Sequence, residues 1–115
     1  MRVKELCTEL GWDFACGDGE REISGGIYCC DLLSIVMGRA PAGSLWITVM
    51  GNVNSMAVAT LADTACVVIA ERMPLDPEAL EGAKKGGITV LKTEQPVFEA
   101  ALSAAKAMKL IRTYD

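Results

Sequence analysis

Apolar residues are concentrated in the stretch from Ser44 to Ala70, SLWITVMGNVNSMAVATLADTACVVIA. Between Arg39 and Arg72 only Asp63 and Glu71 carry charge. Leu45 to Val49 and Ala65 to Ala70 are short, β-branched apolar runs, which predict strands covered on both faces. Asn54 to Ala62 is rich in small helix-compatible residues and opens on Asn and Ser, so it predicts a helix between the two strands. The result is a βαβ unit whose first strand runs into Gly51-Asn52. Ligands of open α/β sheets sit at such strand-to-helix corners.

The flanking sequence continues the alternation. Residues 2 to 10 place Val3, Leu6, Cys7 and Leu10 on one stripe, predicting an amphipathic helix that Gly11 ends. Trp12 to Cys16 predicts an edge strand. A glycine-rich turn, GDGEREISGG, leads into a strand at Ile27 to Cys30, and Asp31 is placed to cap a short helix from Leu32 to Met37. Beyond the central unit, Asp76 at the N-cap, Pro77 at N1, Leu75 and Leu80 as a staple, and Lys84, Lys85 and Gly86 at the end predict a further helix. Ile88 to Leu91 predicts a strand. Thr93 precedes a last helix carrying Val97, Ala101, Ala104, Met108 and Ile111, and the tail from Ile111 to Asp115 is expected to be solvated. Strands and helices alternating over short connections predict a three-layer α/β/α fold, with a mainly parallel sheet of about five strands.

Composition narrows the chemistry. The 115 residues, 51% of them apolar, suit one domain, residues 1–115. A net charge of −4 argues against nucleic acid as a partner. No apolar run approaches the roughly 20 residues of a membrane span. The amphipathic start is unlike a signal peptide, so the expected location is cytoplasmic. Five cysteines without a CxxC pair are expected to be reduced thiols. With no histidine, His-dependent triads and bases are excluded, and a zinc site would need thiolates and carboxylates alone. The segment Gly38 to Ser44 fails as a phosphate loop, because Ser44 holds the lysine position and a strand follows instead of a helix. Neither an enzyme nor a cofactor-bearing protein is expected.

The candidate chemistry is therefore a binding site. Ser24-Gly25-Gly26 lets a backbone turn tightly or approach a ligand closely. Thr48, Gly51, Asn52, Asn54 and Ser55 surround a helix N-terminus whose free N–H groups could hold a phosphate or carboxylate, although Asn54 or Ser55 would serve equally as a cap. Asp31 and Thr93 are placed at the rim of the same expected cleft. A thiolate site for iron–sulfur or another metal would start from Cys29-Cys30, but adjacent strand residues point to opposite faces.

The order Glu20-Arg21-Glu22-Ile23-Ser24-Gly25-Gly26, a strand, Asp31-Leu32-Leu33, then SLWITV leading to an Asn-containing turn and an alanine-rich helix resembles the DRTGG domain over essentially the whole chain. Gly25-Gly26 and the Ser24 hydroxyl stand at the motif positions. The resemblance implies a regulatory module, since such domains occur alone and also fused to CBS domains in regulated pyrophosphatases, as dimer-forming, nucleotide-responsive units. They are also similar to the N-terminal domain of HPr kinase, whose kinase chemistry belongs to a separate P-loop domain. Free-standing members found beside iron hydrogenase genes imply a redox-enzyme partner. A homodimer that binds an adenine nucleotide or another small anion is thus expected, with an assembly domain lacking any small ligand as the alternative.

Overall fold

The structure, a computed structural model, describes residues 1–111. Residues 112–115 of the predicted tail lie outside that range. In chain order the elements are α1 (Val3–Leu10), β1 (Asp13–Cys16), β2 (Ile27–Cys29), α2 (Leu33–Arg39), β3 (Leu45–Thr48), α3 (Val53–Ala62), β4 (Cys66–Ile69), α4 (Pro77–Gly86), β5 (Val90–Lys92) and α5 (Val97–Ala107). The sheet runs β1-β5-β4-β3-β2. β2 to β5 are parallel, and β1 closes one edge antiparallel to β5. This is the predicted α/β fold, with helices on both faces of a five-stranded sheet.

The continuous apolar runs of β3 and β4 follow from that layering. Leu45, Ile47, Cys66, Val68 and Leu91 point into a core beneath α1 and α5. Their neighbours Trp46, Val67, Ile69 and Val90 point into the opposite core, beneath α2, α3 and α4. Successive strand residues face opposite ways, so a strand between two helical layers has no side left for water. Trp46, fully buried, still satisfies its indole by donating to the Cys30 carbonyl at 2.9 Å.

All three crossover helices, α2 to α4, therefore lie on one face, and the two terminal helices share the other. Their ends differ from the predicted ones at four places. Asp31 does not cap α2, which starts after Leu32 without a side-chain cap. The cap of α3 is Asn52, whose Oδ1 accepts from the Ser55 N–H at 2.9 Å, so the helix begins a residue before Asn54. At α4, Asp76 holds the cap position without a side-chain hydrogen bond, and Gly87 instead of Gly86 takes the left-handed C-cap, which delays β5 to Val90. α5 starts at Val97 behind Pro96, and Lys109, at φ 58°, turns the chain before Ile111 can extend the helical stripe.

Candidate functional site

A parallel sheet sorts its connections: every strand begins at one edge and ends at the other. Ser24-Gly25-Gly26 leads into β2, whereas Thr48 and the 51–55 corner leave β3, and β2 pairs with β3 in the register Ile27 to Leu45. The two halves of the expected cleft are thus roughly 13 Å apart along the strands, at about 3.3 Å per residue. They do not converge.

At the edge where the strands begin, the glycines serve backbone packing. Ser24 and Gly25 N–H groups both donate to the Gly43 carbonyl at 3.0 Å, and the Gly26 carbonyl accepts from Leu45 N–H at 2.8 Å. A Cβ on Gly25 would lie 2.4 Å from the Ala42 carbonyl oxygen, so this residue has to be glycine for the loops to meet. Gly26, in open space, is instead selected by its φ of 74°. Arg21, from the same motif stretch, donates to Asp63 Oδ1 at 2.7 Å and to the Thr64 carbonyl at 3.3 Å, fastening the motif to the C-terminal end of α3. This contact holds the Asp63 carboxyl below its ordinary range and raises the guanidinium. The remaining space here is about 150 Å³, between the ends of α3 and α4.

The exit edge, where the strands end, gathers the other seven candidates, and most of their polar atoms have partners within the chain. Asp31 Oδ1 accepts from Thr48 Oγ1 at 2.7 Å and from the Val49 N–H at 3.0 Å, tying the end of β2 to that of β3. A Cβ on Gly51 would lie 2.2 Å from the Pro74 carbonyl oxygen, because the segment leading to α4 fills this corner. Asn52 and Ser55 are joined in the cap, while Asn54 is exposed. Thr93 accepts from the Gln95 N–H at 3.1 Å through its hydroxyl.

Two residues that carried no sequence signal stand out at this edge. Glu71 and Arg72 both have left-handed backbones, at φ 61° and 55°, where the chain leaves β4. They sit between loops that diverge to opposite faces, toward α4 and toward α5. Glu71 donates its N–H to the Gln95 carbonyl at 2.9 Å, and its Oε2 accepts from Val97 N–H at 3.1 Å, so it supplies the cap of α5 that Pro96 lacks. Beside it opens a groove of about 360 Å³ lined by residues 10–13 and 92–95. That groove presents Asp13 and Glu94 against Lys92, and Glu94 pairs with Arg72 at 2.9 Å. Its charge does not favour a polyphosphate.

The thiols are dispersed over both cores. Cys7 and Cys66 lie beneath α1 and α5, and Cys16 lies on the opposite side of the sheet. Burial pushes the thiols of Cys7, Cys16 and Cys66 up, which leaves them protonated and poor nucleophiles or ligands at neutral pH, whereas Cys29 is exposed at the end of β2. Among the described residues no three Cys, Asp or Glu side chains converge on a common point.

The surface feature that remains is the outer side of α3. Val53, Ala57 and Leu61, four residues apart, form an exposed stripe along it; Leu61 is 70% and Val53 44% exposed. Between α3 and α4 runs a groove of about 440 Å³ lined by Val53, Pro77, Glu78, Glu81, Gly82 and Lys85. The sequence pattern foretold the small apolar residues of α3 but not that one side of them would face outward.

No family model matches the sequence, and no curated protein matches it. Among solved structures, the chain is similar to the CBS and DRTGG domains of the regulatory region of Clostridium perfringens pyrophosphatase, complexed with its activator diadenosine tetraphosphate. The TM-score is 0.76 at 15% sequence identity, over 99% of this chain and 51% of that one, so this chain spans about half the length of its structural neighbour. The resemblance to a DRTGG domain read from the sequence therefore holds at the level of the fold.

Proposed function

We propose that this chain is a non-catalytic regulatory domain that acts by docking, with the outer side of α3 as its contact surface. The observation that carries the reading is the exposed Val53-Ala57-Leu61 stripe beside an open groove. A helix in contact with water normally turns polar residues outward, and an apolar band rimmed by charge marks a protein contact. The regulatory character of the structural neighbour supports the same reading. The absence of histidine removes the side chain most often used as a general base. A redox enzyme is the partner class that the resemblance suggests. The test is co-purification from the source cell of tagged wild-type chain and of Leu61→Glu. Docking through α3 predicts a partner that the variant loses, and a partner retained in full by the variant contradicts it.

A second reading, binding of an adenine nucleotide or other small anion at the exit edge, is favoured by one observation of this chain. The Val53 and Asn54 N–H groups open α3 without hydrogen-bond partners among the described residues. The activator held by the neighbour's regulatory region belongs to the same chemical class. At 100 times its Kd, a ligand stabilises the fold by about 2.7 kcal/mol. AMP, ADP, ATP and diadenosine tetraphosphate at millimolar concentration should then raise the melting temperature by roughly 4 °C or more. An unmoved melting curve with all four removes this reading.

A further inference from the structure

We infer that the groove at the end of β5 binds a free α-amino acid with an apolar side chain. This goes beyond the docking reading and does not depend on it, since the groove shares no residue with the outer side of α3. The first support is position. The groove opens at the carboxyl end of β5, lined by residues 10–13 and 92–95. The chain leaves β4 for α4 on one face of the sheet and leaves β5 for α5 on the other. Open α/β sheets bind their ligands outside the strand ends at such a change of direction. A volume of about 360 Å³ suits a small molecule. The walls are set in advance: the Trp12 indole donates to Gln95 Oε1 at 3.0 Å, and the Gln95 amide donates to Ser103 Oγ at 3.1 Å. That chain of hydrogen bonds joins the turn after α1, the loop after β5 and α5 itself, and a preformed cleft loses little freedom on binding.

The second support is charge, which selects the class of ligand. Asp13 and Lys92 are directly opposite in the antiparallel β1–β5 pair, and both line the groove. Among the described residues neither takes part in an ion pair, with the other or elsewhere. Glu94 is already neutralised by Arg72 at 2.9 Å. One free anion beside one free cation gives a site of no net charge, which suits a zwitterion. A nucleotide or a dicarboxylate would set like charge against Asp13, and a polyamine would set it against Lys92. Opposite residues of an antiparallel pair have Cβ atoms about 5 Å apart. The ligand's ammonium and carboxylate must therefore be close together, as they are on one α-carbon. Leu10 and the buried Trp12 supply the apolar part of the lining, against which the ligand's side chain packs.

The experiment is a titration of the full chain with L-leucine, L-methionine and L-phenylalanine, followed by the two indole N–H signals in proton–nitrogen correlation spectra. Trp12, in the groove wall, is the reporter, and Trp46, sealed in the opposite core, is the control. At least one of the three amino acids should move the Trp12 signal saturably at millimolar concentration and leave Trp46 in place. The N-acetyl derivative of that amino acid lacks the ammonium, and the corresponding decarboxylated amine lacks the carboxylate. Each should bind wild type about tenfold more weakly or worse, because a charge-assisted hydrogen bond is lost. The parent amino acid should lose as much on Asp13→Asn and on Lys92→Met, and nothing on Glu78→Gln, away from the groove. A Trp12 signal unmoved by all three amino acids overturns the inference. So does an N-acetyl derivative that binds as tightly as its parent, or binding unchanged in both Asp13→Asn and Lys92→Met. The derivatives are compared on the wild-type chain, so they decide the matter even where a variant fails to fold.

Discussion

Helices α3 and α4 are neighbours of equal length, ten residues each, on the same face of the same sheet, and they finish their outer sides in opposite ways. α4 buries Ala79 and Ala83 and gives water Glu78, Glu81, Lys84 and Lys85. α3 buries Ser55, Met56, Val58 and Ala59 and gives water Val53, Ala57 and Leu61 beside only two polar residues, Asn54 and Thr60, and no charge. Burial against the sheet accounts for the inner half of each helix. It does not account for the outer half of α3, whose composition resembles that of a helix covered on both sides. The difference shows that the fold alone does not dictate the outer side of α3.

The strongest way to disturb the pair is at the corner where their leading segments touch. Gly51→Val places a Cβ within 2.2 Å of the Pro74 carbonyl oxygen and forces the segments that lead into α3 and α4 apart. Overpacking of this kind costs about 1–3 kcal/mol, and the melting temperature should fall by roughly 4 °C or more. A variant that melts with wild type would mean that these leading segments are not in contact. Next in size is the asymmetry of the caps. Asn52→Ala should cost about 1 kcal/mol, because it removes an acceptor from the Ser55 N–H. Asp76→Ala, which removes no cap bond, should cost less, and Asn54→Ala should stay within about 0.5 kcal/mol. Urea titration of the three variants ranks them, and equal losses at Asn52 and Asp76 would erase the asymmetry.

Smaller again is the effect of the exposed stripe on the isolated fold. Leu61 is mostly out of contact with its own chain, so Leu61→Glu should change stability at low protein concentration by no more than about 0.5 kcal/mol. A large loss would show that Leu61 serves the core. The smallest effect concerns the edge where the strands begin, at which Arg21 reaches the end of α3. Asp63 has a folded-state pKa below its unfolded value, so its contribution is present above roughly pH 4 and is lost as the pH falls through the lowered pKa. Wild type should therefore lose more stability than Arg21→Ala between about pH 5 and pH 3. Parallel pH profiles would deny the contact any role.

The layering was legible in the sequence because two apolar runs bracketing a helix leave few other folds, and because Gly11 and Pro77 punctuate helices unambiguously. The site was less legible. Ser24-Gly25-Gly26 and the Asn52 to Ser55 corner carry similar residue types, but which edge of a sheet a loop occupies depends on strand direction, and no single loop encodes that. Asp31 shows the same difficulty: its position suggests a cap, and only the neighbouring strand reveals that Thr48 and Val49 claim the carboxylate. Glu71 and Arg72 adopt left-handed backbones without Gly or Asn, so nothing in their identity announces the turn. For α3, periodicity could not distinguish a helix covered on both sides from one covered on a single side, because the outward Val53, Ala57 and Leu61 are as apolar as the residues that face the sheet.

Whether that second cover exists is tested most directly at the methyl groups themselves. In a solution of the wild-type chain at several hundred micromolar, a soluble gadolinium chelate relaxes the methyl protons it can approach. Docking through α3 predicts that adding the captured partner shields Val53 and Leu61 as the fold shields Val58, and that Leu61→Glu abolishes the shielding of Val53. Val53 and Leu61 relaxing as fast with the partner bound as without it would contradict it.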